Sequence, residues 1–226
     1  MTERINSFGF MCFFYVYDGD PVDRSLVVRY DEQNERRRQM KKKIEDILQE
    51  QKETAGVHEY AFLAASDISF SDDVRTICEG NGCGLYNTSW ACPPAVGTVA
   101  ECKARYQAFA DALVMTTVTE LEDKYDFEKW IEAGVRHEAV TDAVARIVED
   151  NATSSLVLST EGCKICNSCT YPDQPCRFPN RMHPATEGYG IMVTELAKRG
   201  GIAYNNGTNS ITFFSVIFFN RKPLFH

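Results

Sequence analysis

The sequence lacks any apolar run close to the about 18–20 residues that a transmembrane helix requires. It also lacks an excess of basic residues, because 24 Lys and Arg stand against 32 Asp and Glu, giving a formal net charge of −8. An acidic protein repels phosphate backbones, so we expect neither a membrane nor a nucleic acid as partner. Hydrophobic residues at 44% and charged residues at 25% exclude a disordered or fibrous chain.

Motifs for nucleotides and for hydrolysis are missing as well. The sequence contains no G-x-G-x-x-G, no P-loop, no G-x-S-x-G and no C-x3-C-x2-C spacing of the radical-SAM type. The apolar segment at residues 8–17 is not followed by a small-residue cleavage site of the secretory kind. We therefore expect a cytoplasmic protein, in which clustered cysteines more often bind metal than form disulfides.

Short β-branched and aromatic runs alternate with helical periodicities along the chain, which predicts one α/β domain: a mixed sheet, helices packed on it and two cysteine-rich cluster-binding loops. Helices are expected over residues 31–55, 98–110, 126–131, 138–149 and 186–199. Strands are expected over residues 60–65, 113–118, 156–158, 202–204 and 211–219, with Asn205-Asn206-Gly207 as a hairpin turn before the last of them.

The sequence predicts a separate N-terminal segment before the metal-binding domain. Residues 13–28 predict a hairpin, and Met40 offers an alternative start, so residues 1–39 are interpreted as a hairpin-like extension. Residues 40–226 are assigned to the metal-binding α/β domain. Within it, Thr98 is predicted to cap a helix together with Glu101, three residues later, in a capping box.

Nine cysteines are the abnormal feature of the composition, and their sharpest pattern is Cys163-x2-Cys166-x2-Cys169. Three thiolates within seven residues suit three irons of a [4Fe–4S] cluster, with a fourth cysteine supplied from elsewhere. Cys176 follows closely, whereas Cys92 precedes a proline as the last ligand of ferredoxin-type sites does, so both remain candidates. Zinc is the alternative, because paired C-x2-C spacings also build tetrahedral sites.

A second, glycine-rich loop carries Cys78, Cys83 and Cys92. Glycines let the backbone approach a bulky cluster, and Tyr86 and Trp90 would supply an apolar shell against water. We expect this loop to bind metal too, so that the protein holds one or two clusters.

Seven loop cysteines are one short of the eight that two fully ligated cubanes require. Cys102 is the nearest spare, although it falls on a helix, and Cys12 is interpreted as a buried apolar residue. His183 is either the eighth ligand, a proton donor or an exposed loop residue, and Arg177 is a candidate for neutralising cluster charge. An under-ligated cluster could bind a substrate directly, whereas a fully ligated one only passes electrons.

The two motifs together resemble a family of bacterial and archaeal predicted metal-binding proteins of unknown function. The resemblance covers residues 40–219, and Asn87 stands where that family has glycine. The matching residues are Cys78-x4-Cys83-Gly84-x-Tyr86-x3-Trp90-x-Cys92-Pro93-Pro94, then Cys163-x2-Cys166-x2-Cys169-Thr170-Tyr171-Pro172 and Cys176-Arg177-Phe178-Pro179. The resemblance implies metal binding through these cysteines and implies no reaction.

Three functions follow from these observations as hypotheses. The first is an iron–sulfur redox protein, either an electron carrier or a redox enzyme subunit, whose acidic surface meets a basic patch on a redox protein partner. The second is an iron–sulfur enzyme with an open-site cluster, similar to desulfidases or dehydratases. The third is a zinc-stabilised interaction module.

Overall fold

The computed structural model describes residues 24–123, 125–160 and 162–221. The chain forms two compact units, residues 1–36 and 37–226, and the described part of the first is helical. The described helices are α1 (Arg24–Ala55), α2 (Asp72–Glu79), α3 (Val99–Tyr106), α4 (Phe127–Asn151) and α5 (Val193–Gly200). The described strands are β1 (Tyr60–Ala64), β2 (Asp111–Glu120), β3 (Ala152–Leu158) and β4 (Ser210–Arg221).

The four described strands form one sheet in the order β1-β2-β4-β3. All three pairings are antiparallel, with Leu113 of β2 opposite both Phe62 of β1 and Ile217 of β4. The predicted α/β domain is confirmed, but the strands themselves do not form the mixed sheet that the alternation of elements suggested. Strands β2 and β3 both pair antiparallel with β4, so they run parallel to each other, and α4 connects them across β4.

Both faces of the sheet are covered, which explains why its central strands are apolar along their length. Ala112 and Val114 of β2 lie in a buried cluster with residues of α3 and α5. Leu113 and Met115 point to the opposite face and lie in a cluster with residues of α1 and α4. The first cysteine loop connects α2 to α3, and the second follows β3. No helix in the described residues is long and apolar enough to cross a membrane.

The predicted strand at residues 202–204 and its hairpin turn are wrong. Both long edges of β4 are already paired, with β2 and β3, so no edge remains for a further strand. The segment instead closes α5, where Ile202 N–H donates to the Ala197 carbonyl, and Ala203 N–H donates to the Glu59 carboxylate. The predicted strand character of residues 26–28 is also wrong, because α1 already begins at Arg24. The rest of that hairpin lies outside the described residues.

Helix α3 begins as predicted, with Thr98 and Glu101 forming a capping box. The two expected helical stretches at 126–131 and 138–149 are one helix, α4, which Asp126 caps. The expected helix at 186–199 is broken. Gly190 adopts φ 80°, which ends a 3₁₀ turn over Glu187–Tyr189 before α5 begins.

Candidate metal centre

Three of the predicted ligands, Cys78, Cys83 and Cys92, line one cavity of about 940 Å³, and we call them the three-thiol site. Cys78 lies in the last turn of α2 rather than in a loop, which corrects the assignment of the whole segment as irregular. Cys83 is exposed, Cys78 is half-buried and Cys92 is buried. The thiols thus lie at increasing depth along the wall of an open cavity.

Left-handed backbone shapes the loop that carries these cysteines. Asn81 has φ 53° and Asn87 has φ 60°, so both asparagines adopt the left-handed backbone that few residues other than glycine tolerate. The side chain of Asn81 also accepts a hydrogen bond of 2.9 Å from the Tyr86 N–H. The turn places Tyr86 on the cavity wall beside the thiols.

The other four predicted ligands surround a separate, small cavity of about 20 Å³, and we call them the four-thiol site: Cys163, Cys166, Cys169 and Cys176. Cys176 therefore shares a cavity with the C-x2-C-x2-C run, whereas Cys92 lines the other cavity, although its sulfur lies 3.2 Å from the position that a Cβ on Gly162 would take. The described residues between 159 and 186 form no helix or strand.

The cysteines that affect the pKa of a given thiol belong to the same site as that thiol. The pKa of the Cys92 thiol is raised to about 11, mainly by burial and to a smaller extent by Cys83 and Cys78, while a hydrogen bond with Ser89 lowers it. Burial also raises the pKa of Cys163, and here the neighbouring thiols with the same effect are Cys176 and Cys166. Metal ligands must be thiolates, so binding at either site is expected to release protons.

Direct contacts join the two cysteine loops. Trp90 packs edge-on against Tyr171 with ring centres 5.0 Å apart, and its indole N–H donates to the Gln174 carbonyl over 3.1 Å. The Tyr171 hydroxyl donates to the Asn87 side chain over 2.7 Å. Trp90 lines the cavity of the four-thiol site, although the sequence suggested that it shields the other loop. The two sites therefore lie on loops that contact each other.

Arg75 anchors α2, and with it Cys78, to the rest of the fold. Its guanidinium donates to the Gly97 carbonyl over 2.7 Å and to the Gly188 carbonyl. Gly188 itself lines the large cavity. The arginine thus fixes the position of the helix whose last turn supplies a thiol.

Arg177 lies at the four-thiol site, as its position after Cys176 suggested. It lines the same cavity and donates to the Ser168 carbonyl, inside the C-x2-C-x2-C run, over 2.8 Å. A guanidinium at this place offsets the negative charge that thiolates acquire when they bind metal.

The spare candidates among the described residues, Cys102 and His183, do not line either cavity. Cys102 is fully buried in the core on α3, where its thiol donates to the Val96 carbonyl over 3.4 Å. His183 is not an exposed loop residue. Its Nδ1 lies 3.1 Å from Glu138 and its Nε2 lies 3.4 Å from Asp142, both on α4. Cys12 lies outside the described residues.

Sequence reasoning missed His137, which is fully buried beneath the sheet. Its Nδ1 lies 2.8 Å from the Thr117 hydroxyl and its Nε2 lies 2.7 Å from the Ser215 hydroxyl. Ser215 in turn donates to Ser159, and Ser159 donates to Glu138. Burial lowers the pKa of His137 to about 4, so the ring is neutral at physiological pH. The network fixes the strand end that leads into the four-thiol loop.

In the part of the chain that the structure describes, no group of three or more His, Cys, Asp and Glu side chains is arranged to hold a metal ion as it stands. The donor sets nevertheless suit a thiophilic metal. Each of the two cavities is lined by thiols from a single cysteine motif, and the described cysteines are all free of disulfides. The residues present therefore fit an iron–sulfur cluster or zinc by their chemistry.

Comparison with known proteins agrees with the donor chemistry. No curated protein and no solved structure matches the chain. A family model described as "Predicted metal-binding protein (DUF2284)" matches residues 61–219, which include all seven cysteines of the two sites. Because the match spans more than half of the sequence, the chain belongs to this family of predicted metal-binding proteins.

Proposed function

We propose that the protein is a cytoplasmic iron–sulfur redox protein with a [4Fe–4S] cluster at the four-thiol site and a second cluster at the three-thiol site. The observation that carries the proposal is the division of seven cysteines into sets of four and three on neighbouring cavities. The C-x2-C-x2-C spacing favours a cluster over zinc at the larger set, because zinc sites usually separate their two ligand pairs more widely.

The four-thiol site suits electron transfer. Four cysteines satisfy all four irons of a cubane, which leaves no position for a substrate. The net charge of −8 favours a redox protein partner with a basic patch. Screening should weaken this association as the salt concentration rises.

A second candidate function, an enzyme with an open-site cluster, is favoured by the three-thiol site. Three cysteines leave one iron of a cubane without a protein thiolate, and this site faces a cavity of about 940 Å³. A cluster held at this site would supply a Lewis acid to a bound molecule, as desulfidase- or dehydratase-like chemistry requires. The alternative to both functions is a zinc-stabilised interaction module without a cluster.

Serine variants test the two sites separately in protein purified without oxygen. Cys166→Ser and Cys83→Ser should each lower iron and sulfide by about half, because each removes a ligand from one cluster. Cys102→Ser is the matched control, since Cys102 is buried in the core away from both cavities, and it should leave both contents unchanged. Unchanged iron in Cys166→Ser would remove the four-thiol cluster from the account.

EPR of the reduced protein separates electron carrier from enzyme. The signal assigned to the three-thiol site by its loss in Cys83→Ser should change when small molecules that bind iron are added. The signal lost in Cys166→Ser should not respond. A three-thiol signal that ignores every added ligand would contradict the enzyme hypothesis and leave electron transfer.

A further inference from the structure

Ser89 is a buried polar residue in the loop that carries the three-thiol site. The residue is 7% exposed. Its hydroxyl oxygen is buried without a partner at ordinary hydrogen-bond distance and angle among the residues that the structure describes. An unpaired buried hydroxyl is destabilising, and most such groups in folded proteins have a partner. We therefore expect the hydroxyl to serve a group that forms only when the site is loaded.

The backbone holds Ser89 beside Cys92. The Cys92 N–H donates to the Ser89 carbonyl over 3.4 Å, which closes a turn of four residues. The side chains also interact, since the Ser89 hydroxyl lowers the pKa of the Cys92 thiol against the larger effect of burial. A hydroxyl has this effect when it donates to the thiolate, because a neutral thiol is a weak acceptor. Cys92 thus becomes a partner for Ser89 when its thiol loses the proton, as metal binding requires.

Cys92 needs a donor from the protein more than the other two thiols of the site do. Cys83 is exposed and Cys78 is half-buried, so water can solvate their sulfurs, whereas Cys92 is 5% exposed. Gly162 lies against the Cys92 sulfur on one side, since a Cβ on this glycine would lie 3.2 Å from it. Negative charge that is buried away from water is destabilising unless hydrogen bonds compensate it.

The backbone that follows Cys92 cannot supply this donor. The next two residues are Pro93 and Pro94, and proline has no backbone N–H. Cys83, by contrast, is followed by residues 84–85, which both carry N–H groups. A side-chain hydroxyl three residues before Cys92 can make up for the missing donors.

We propose that Ser89 is a positioning residue of the three-thiol site, whose hydroxyl donates a hydrogen bond to the metal-bound thiolate of Cys92 in place of the absent backbone donors. This role rests on the proposed function, because the thiolate forms when metal binds. A donor of this kind withdraws negative charge from the sulfur, which raises the reduction potential of a cluster held there. Ser89 is not itself a ligand, so the site should assemble without its hydroxyl.

Two variants of Ser89 test the hydrogen bond through the reduction potential. An EPR-monitored redox titration follows the signal of the three-thiol site, which is identified by its loss in Cys83→Ser. Ser89→Ala removes the hydroxyl and should shift the potential of this signal to a more negative value, whereas Ser89→Thr keeps a hydroxyl and should retain the wild-type value. The signal of the four-thiol site should stay at its wild-type potential in both. An unchanged potential in Ser89→Ala, or an equal shift in Ser89→Thr, would overturn the proposal.

Thr88→Ala is the matched control, because it removes the hydroxyl of the neighbouring residue in the same loop. Thr88 is exposed, and its hydroxyl donates to the Leu85 carbonyl over 2.7 Å rather than to a thiol. The control should leave the potential unchanged, and a shift equal to that of Ser89→Ala would overturn the proposal. Iron and sulfide contents should equal those of the wild type in the Ser89 variants. Loss of about half of the iron in Ser89→Ala would make Ser89 a ligand and contradict the proposed role.

The metal content separates failure of this role from failure of the proposed function. Full iron with equal potentials in the wild type and Ser89→Ala would overturn the hydrogen bond and leave the proposed function standing. Absence of iron from the three-thiol site would contradict the proposed function there, and protein produced with cobalt in the medium then tests Ser89. The thiolate-to-cobalt absorption band that Cys92→Ser removes should move to longer wavelength in Ser89→Ala and not in Ser89→Thr. An unmoved band in Ser89→Ala, or no band that depends on Cys92, would overturn the hydrogen bond.

Discussion

Acidification should destabilise the protein through a single buried histidine, His137. Its ring is fully buried, and burial lowers its pKa from the ordinary value of 6.5 to about 4. In the unfolded chain this histidine becomes protonated near pH 6.5, whereas in the folded chain it becomes protonated only near pH 4. The stabilising contribution is therefore complete above pH 6.5 and is lost progressively as the pH falls toward 4.

The magnitude follows from the difference between the two pKa values. Each pKa unit corresponds to about 1.4 kcal/mol, so the full contribution is about 3 kcal/mol. Between about pH 7.5 and about pH 5.0 the linkage relation gives a loss of about 2 kcal/mol, since the folded protein stays largely unprotonated there. For a chain of this size, that loss lowers Tm by about 4–8 °C.

Melting of the wild type and of His137→Asn at the two pH values measures this contribution. The asparagine does not titrate, so the Tm of the variant should fall by about 4–8 °C less than that of the wild type over the same interval. Acid-sensitive groups that do not interact with His137 are common to both proteins and cancel in the comparison. Equal losses of Tm, or an NMR titration of the His137 ring near pH 6.5, would refute the reasoning.

Three further substitutions have defined expectations. Arg75→Lys should lower the free energy of unfolding by about 1–3 kcal/mol, because lysine cannot donate to both carbonyl groups that the guanidinium contacts. The loss is measured as a lower Tm, and an unchanged Tm would contradict the anchoring role of Arg75. Gly162→Ala should lower the free energy of unfolding by about 1–2 kcal/mol, again measured as a lower Tm. The φ angle of Gly162 is 71°, and a Cβ at this position would lie 3.2 Å from the Cys92 sulfur. Cys12→Ser should leave the iron content unchanged, and a loss of iron there would return the N-terminal segment to the site.

The apolar strands could be predicted from the sequence because the sheet buries both of its faces. Residues 113–118 and 211–219 read as strands on composition alone, and β2 and β4 contain them. Helix α3 was predicted from a local signal, the capping box at Thr98. Helix α2 carried a similar signal, since Ser71 accepts a hydrogen bond from the Asp73 N–H, but its eight residues are too few for a clear periodicity.

Other elements depend on contacts that a local pattern does not contain. The break at Gly190 permits close packing, since a Cβ there would lie 3.0 Å from Val99 and 3.1 Å from the Ser71 carbonyl. The false strand at residues 202–204 has acceptable composition, but β4 has no free edge to pair with it. Sheet order is a property of the assembled fold rather than of any one segment.

The spacing of the seven cysteines predicts metal ligands, but it does not tell which of them share a cavity. Cys176 and Cys92 were both candidates for the fourth ligand of the C-x2-C-x2-C run, and the fold places them on different cavities. The position of Trp90 depends on its contact with Tyr171, 81 residues later in the chain. His137 could not be recognised, because its partners Thr117 and Ser215 lie on different strands.

The most direct test of the account is the iron, sulfide and zinc content of the wild-type protein purified without oxygen, with its visible spectrum. The account predicts about eight irons and about eight sulfides per chain, with a brown colour that dithionite bleaches. About four of each, lost in Cys166→Ser and kept in Cys83→Ser, would remove the cluster at the three-thiol site. Zinc without sulfide would contradict the redox function and establish a structural metal protein instead.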